Sequence, residues 1–331
     1  VQLFSPHLNM KKKHTITVLG FFVSIIMLYF SLKDINANAI LETLKKADCR
    51  LIFMPLLFIA ISIMLSAFKW QKISGGDIKF SDTSISLLIG LFVNNVLPAR
   101  IGELARGYVL SKRKGVSFTY CLSTVLVDRV FDLVGLLIIT FLFFPKHNLP
   151  PNISNAIYAL VGLLTTCIIL MIVFSRKGIV NKISSYLDKI NKPLILKFAR
   201  RIIEIQENLQ RIQSPFNIIM FIVIAFFQWF SMSTALYFVM STLGVHLDFL
   251  YVPFICALLN MGLTIPSSPG YIGVYQFLLV YLLSIFGIPK HEGFTVSILF
   301  HASWYIPYNI IGFLLLLKEH LKIGELKKLK N

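Results

Sequence analysis

Apolar residues run through this chain in stretches long enough to cross a bilayer, and polar residues gather in the gaps between them. Six uninterrupted stretches stand out, at about 15–32, 51–68, 118–144, 153–174, 217–241 and 294–317. Each reaches the roughly 17–25 residues a helix needs to span the hydrocarbon core. Two further apolar segments are interrupted. One covers about 83–110 and breaks at LPARIG (97–102); the other covers about 249–286 and breaks at IPSSPG (265–270). Proline removes a backbone donor and stops a helix, and glycine frees the chain to turn. Each segment is therefore predicted to form a helical hairpin, either re-entrant or fully crossing. The pattern predicts an all-α polytopic membrane protein with six spans and two broken hairpins.

Three full crossings fall in each half. An odd number forces the halves to run in opposite directions, so 15–144 and 153–317 are predicted to be an inverted repeat, a plan that recurs in transporters. The two break motifs echo each other, and Gly115-Val116 and Gly287-Ile288 each precede a span with a polar centre. Basic residues agree with this topology. The N-terminus, 69–81, 98–116, 175–213 and 318–331 hold 25 Lys and Arg, whereas 33–50, 145–152, 242–249 and 287–293 hold 6, and Arg129 lies inside a span. Positive charge marks the cytoplasmic side, which predicts both termini there in a bacterial-type cytoplasmic membrane. Residues 1–14 form the cytoplasmic N-terminus, with 1–9 read as an extension ahead of the natural start at Met10-Lys11-Lys12-Lys13. Residues 318–331 form a basic cytoplasmic tail. Within the second half, 175–213 reads as two amphipathic segments flanking Pro193, lying along the membrane surface.

The composition is 56% hydrophobic and 14% charged over 331 residues, against about 45–50% and about 25% in soluble domains. It leaves no room for a separate soluble domain. A net charge of +17 would suggest nucleic acid in a soluble protein; here topology and anionic headgroups account for it, and no nucleic-acid partner is expected. Cys49, Cys121, Cys167 and Cys256 are scattered, without metal-ligand spacing, and read as small apolar fillers. No metal and no cofactor are expected.

Charged residues inside a span are costly, about 2.5–3.5 kcal/mol each, and commonly mark a pathway. Asp128, Arg129 and Asp132 sit in such a span, with Asp128 about 15 Å along it. The two aspartates share a face at i,i+4, and Arg129 reaches Asp132 at i,i+3. Their net charge of about −1 calls for another cation, for which Arg100 and Arg106 in the first hairpin are the candidates. Two readings stay open: a buried ion-pair network pinning the hairpin, or a polar lining for a charged headgroup or a coupled proton carried by Asp128 or Asp132. In the break itself, Asn94 and Asn95 are placed to satisfy backbone groups freed by Pro98, a need acute in lipid. Gly102 allows a close approach, and the helix beginning there offers N–H groups that suit an anion. Glu103, three residues before Arg106, is placed to hold it.

The second break carries no charge. Pro266 interrupts the helix, Ser268 reads as an N-cap with Pro269 at N1, and Gly270 and Gly273 serve either close helix packing or a lining. His301 corresponds roughly to Asp128 in the repeat and is a possible site residue. Gln228, Gln276, Asn260 and Asn309 read as interhelical hydrogen-bond partners, Trp70, Trp229 and Trp304 as interfacial belt and packing, and Lys112-Arg113-Lys114 as an orienting charge cluster.

Three motifs in this order, Asn95-x-x-Pro98-x-x-x-Gly102-Glu103-x-x-Arg106, Asp128-Arg129-x-x-Asp132 and Pro266-x-x-x-Gly270-x-x-Gly273, resemble the lysylphosphatidylglycerol synthase transmembrane, flippase-like family. The resemblance covers about 85–320. It implies an integral membrane domain that moves anionic, amino-acylated or polyprenyl-linked lipids between leaflets. In full-length synthases of that family a soluble domain transfers lysine to phosphatidylglycerol; this chain is expected to lack it, so a transporter is expected rather than an enzyme. With no P-loop, an ion gradient or product removal would supply any driving force. The other readings are a transferase acting with a separate lipid-synthesising partner, and an accessory scaffold in cell-envelope synthesis.

Overall fold

The computed structural model describes residues 21–33, 35–97, 101–145, 214–263 and 268–321, with scattered positions between 151 and 166. The N-terminus, most of the 153–174 span, the 175–213 insertion and the basic tail beyond Leu321 lie outside the described residues, as do Pro98, Arg100 and Pro266. Among the described residues every regular element is helical. In chain order these are α1 (Phe21–Leu32), α2 (Ala37–Lys45), α3 (Phe53–Ser74), α4 (Phe80–Val96), α5 (Gly102–Lys114), α6 (Phe118–Leu142), α7 (Pro215–Thr242), α8 (Val252–Gly262), α9 (Val274–Ile285) and α10 (Lys290–Lys318).

Local sequence sets the ends of these helices. Pro215 opens α7 from its first position, where its missing N–H costs nothing. Gly115 closes α5 in the left-handed conformation, and the Ser117 hydroxyl then caps α6 by accepting from the Tyr120 N–H. Among the described residues three helical segments are long and apolar enough to cross a membrane: Arg50–Ser74, Pro215–Thr242 and Lys290–Lys318. α6 has comparable length, 25 residues, but carries three charges in its middle. The arms of the hairpins are shorter. At 1.5 Å per residue α5, α8 and α9 reach about 16–20 Å and α4 about 26 Å, less than the ~30 Å hydrocarbon core.

Helices pack through small residues and hydroxyls, as expected where lipid removes the usual hydrophobic drive. α3 and α7 lie side by side, with Ser231 Oγ donating to the Phe58 carbonyl at 2.8 Å. Gly135 of α6 lies against Ala225 of α7; a Cβ there would fall 3.0 Å from the Ala225 backbone. Gly312 of α10 lets that helix rest on Leu88 and Phe92 of α4. α8 packs on α6, and α4 also touches the turn Pro269–Tyr271 that breaks the second hairpin. The first arm of one hairpin thus meets the break of the other. Outside, Phe53, Leu142, Phe216, Ile25 and other large apolar side chains are exposed, the surface a bilayer would cover.

Candidate functional site

Six charged side chains from three elements close into a ring in which positive and negative alternate. Lys69 on α3 contacts Asp132 through a short Nζ–Oδ1 contact and Asp128 at 3.3 Å. Asp128 Oδ2 accepts from both terminal nitrogens of Arg106 at 3.0 Å. Arg106 Nε meets Glu103 Oε2 at 3.0 Å, Glu103 Oε1 meets Arg129 Nη2 at 3.1 Å, and Arg129 Nη1 returns to Asp132 at 2.9 Å. Three cations and three carboxylates sum to zero. That balance is what permits the group to exist inside an apolar helix bundle, where an unpaired charge is costly.

Neighbours fix the ring in place. Gln228 of α7 accepts from Lys69 at 3.0 Å and donates to Asp132 at 3.1 Å. The Arg106 guanidinium lies 4.8 Å from the centre of the Trp70 ring, a cation–π distance. Trp70 in turn donates its indole N–H to Thr124 at 3.0 Å, and Arg106 reaches the Val125 carbonyl at 3.4 Å. Four elements, α3, α5, α6 and α7, therefore converge on one polar spot in an apolar bundle.

The ring is sealed on one side only. The side chains of Lys69, Asp128, Arg106 and Asp132 are at most 4% exposed, whereas Glu103 is 31% and Arg129 37% exposed. Glu103 sits in the first turn of α5, immediately beyond the break. Gly102 carries that break: its N–H donates to Asn94 Oδ1 at 2.7 Å, and a Cβ on it would fall 2.0 Å from the Gly90 carbonyl oxygen.

Five of the expected site residues, Glu103, Arg106, Asp128, Arg129 and Asp132, meet here. Arg106 is the missing cation, and Glu103 holds it as its spacing predicts. Gln228 is an interhelical partner, as expected. Lys69 was not anticipated; it lies in a segment, 69–81, assigned to a basic loop, whereas α3 continues to Ser74 and buries it completely. A signal existed, since Lys69-Trp70 follows an unbroken apolar run and extends its helical phase. Of the two roles expected for the tryptophans, belt and packing, Trp70 and Trp304 take packing: both are buried. Of the two asparagines Asn94 makes the expected backbone bond. Asn95 is buried, and its amide nitrogen has no partner among the described residues.

The second break differs in one respect from expectation. Ser268 stands at the N-cap position with Pro269 next, but of a single 3-10 turn, Pro269–Tyr271, and its hydroxyl makes no cap bond, donating instead to the Ile272 carbonyl. The helical arm starts at Val274, where Gln276 reaches back to accept the Gly273 N–H at 2.7 Å. A glycine at φ +91° is needed at 273 because a Cβ would fall 2.1 Å from the Ser24 carbonyl oxygen of α1. A Cβ on Gly270 would lie 2.7 Å from the Tyr305 ring, so both glycines serve packing. Gln276 also meets His301 Nδ1 at 3.0 Å, and Tyr275 stacks on the His301 ring at 4.5 Å. His301 stands apart from the ionic ring. Asn260 and Asn309 bond carbonyls one turn back in their own helices rather than crossing to neighbours. Among the described residues no cluster of His, Cys, Asp and Glu has metal-binding geometry.

The family described as the lysylphosphatidylglycerol synthase TM region matches residues 17–312. The chain belongs to that family. Relatives of the chain include a UPF0104 membrane protein of Methanocaldococcus jannaschii, 27% identical over 67% of this chain and 92% of the relative. A UPF0104 membrane protein of Pyrococcus horikoshii is 24% identical over 93% of this chain and 97% of its own length. Family membership and the long apolar helices make the protein an integral membrane protein.

Proposed function

We propose that the protein moves a phosphate-bearing lipid between leaflets, as a flippase or scramblase, with the headgroup engaging the open Glu103–Arg129 side of the ionic ring while the acyl chains stay in lipid. The observation that carries this reading is the ring's one-sided closure. A network serving only to pin helices gains nothing from leaving a guanidinium and a carboxylate partly open beside a helix break. Arg106 and Arg129 bring the fork geometry that suits phosphate. Asp128 and Asp132, each between two cations, hold those guanidiniums in place. The substrate class is an anionic or polyprenyl-linked lipid, and the setting is the cytoplasmic membrane, with both termini on the basic, cytoplasmic face.

The reading includes the inverted repeat of 15–144 and 153–317. Its support is an exchange pattern in the packing: α4 lies on α10 and α8 on α6, each hairpin's first arm against the other half's last span, while α3 and α7 lie together. The polar centres correspond as well. Asp128 bonds Arg106 and His301 bonds Gln276, in each case the second arm of its own hairpin.

Lipid translocation in proteoliposomes tests the reading, with labelled anionic and zwitterionic lipids compared across wild type, Arg129→Ala and Lys112→Ala. Headgroup-dependent movement lost in Arg129→Ala and kept in Lys112→Ala is expected. Equal activity in the two variants would remove the ring from the path.

A further inference from the structure

We propose that Glu103 is a built-in stand-in for the substrate's phosphate: it fills the anion position between Arg106 and Arg129, and an arriving phosphodiester takes that position as the carboxylate swings out. The inference rests on the lipid-transport reading above and names the group that sets its substrate class, a lipid whose headgroup carries a phosphodiester monoanion.

Geometry gives the first ground. Two guanidiniums on different helices converge on the two oxygens of one carboxylate, Arg106 Nε at 3.0 Å from Oε2 and Arg129 Nη2 at 3.1 Å from Oε1. Both contacts are ion pairs, and Arg106 Nε and Glu103 Oε2 make no hydrogen bond among the described residues; two adjacent oxygens between two guanidiniums is also how a phosphodiester is held. The second ground is the inequality of the three carboxylates. Asp128 and Asp132 are sealed, while Glu103 alone reaches the surface.

The third ground is what remains when Glu103 leaves. Arg106 keeps Asp128 and Arg129 keeps Asp132, so release strands no buried cation. Exchange of one carboxylate for one monoanion also leaves the cluster neutral, whereas adding the anion without release would leave an excess negative charge in a low-dielectric interior. Position completes the case. Glu103 is in the first turn of α5, beside the break, and its side chain can swing while Asn94 still holds the Gly102 N–H. No backbone bond has to break.

The test uses the full chain in detergent, with dihexanoyl phosphatidylglycerol as probe and the phosphate-free dihexanoylglycerol as control. Binding is measured by titration calorimetry for wild type, Glu103→Gln and Arg129→Gln. A membrane-permeant carbodiimide, with peptide mass spectrometry, reports access to the Glu103 carboxyl in wild type. Tightening of the phosphatidylglycerol by about tenfold or more in Glu103→Gln is expected, with a comparable weakening in Arg129→Gln and faster carbodiimide labelling of Glu103 when the phosphatidylglycerol is present. Weakening or no change in Glu103→Gln, or protection of Glu103 by the probe, would overturn the stand-in role. If Arg129→Gln still weakens binding in that case, the transport reading survives and only this inference falls. Absence of binding in wild type and Glu103→Gln alike would overturn both. Should Glu103→Gln not fold, the labelling of wild type decides alone.

Discussion

Lys69 neutralises two carboxylates and is itself held by an amide, so its removal affects three side chains on two other helices. Taking one partner from a buried ion pair typically costs about 3–5 kcal/mol, because the other charge is left uncompensated. Lys69→Met should therefore lower stability by that order, and Asp132→Asn by a similar amount. The double variant restores neutrality and should lose clearly less than the sum of the two. Unfolding midpoints of the four proteins in detergent check this; additive losses would mean that the two residues do not act as a pair. Trp70→Phe keeps a ring under Arg106 but gives up the Thr124 hydrogen bond, a loss of about 1 kcal/mol, while Trp70→Ala should cost several times more. At this scale the sequence was legible where spacing within one helix decided the partner: Glu103 with Arg106, and Arg129 with Asp132. Lys69 and Gln228 come from helices distant in sequence, and nothing in local spacing announces a contact that only packing creates. Lys69 also sits where an orienting basic residue is expected, next to Lys72 and Lys79, which concealed it.

At the scale of the element, the first hairpin depends on α4 and α5 approaching at the level of their backbones. Gly102 faces the Gly90 carbonyl with no room for a methyl group. The second hairpin depends on Gly273 for its approach to the α1 backbone at Ser24, with positive φ added to the lack of space. Gly102→Ala and Gly273→Ala should each reduce folded protein sharply, since backbone rather than a movable side-chain end blocks the new atom. Gly115→Ala provides the comparison. Its position is left-handed but open, so the cost should be about 1 kcal/mol. Size-exclusion profiles and thermal midpoints of the three variants separate these cases, and equal behaviour would mean that the approach at Gly102 is not needed. The breaks themselves were readable because proline, glycine and asparagine are conspicuous in an apolar chain. The exact start of the α9 arm was not. Ser268-Pro269 has the form of a helix start, but close packing of Gly270 on Tyr305 and Gly273 on Ser24 turns the chain once more before a helix can begin.

For the whole molecule, the question is what joins the first hairpin to the last span at the edge of the apolar region. Arg113, beyond the apolar part of α5, donates to Asp82 at 3.0 Å and makes a short contact with Glu319 at the end of α10. Lys114 adds a second cation 3.6 Å from Asp82. A cluster that reads in the sequence as orienting charge is therefore also a clasp between elements more than two hundred residues apart. Burial pushes the Asp82 carboxyl up, but the Lys79 N–H, the Arg113 hydrogen bond and the charges of Lys114 and Arg113 outweigh it and hold its pKa below the usual carboxylate value. Protons are then bound more readily by the unfolded chain, so the clasp contributes fully above the ordinary aspartate pKa, about 3.9, and is lost as pH falls through the depressed folded value. Wild type should lose thermal stability as pH is lowered from 6 toward 3, and Asp82→Asn, already lower at pH 6, should lose less over the same interval. High salt should narrow the gap between the two, because the clasp is partly exposed and screened. Parallel pH curves for the two proteins would mean that Asp82 carries none of the acid sensitivity and that α10 is held to the hairpin by its apolar contacts with Leu88 and Phe92 alone.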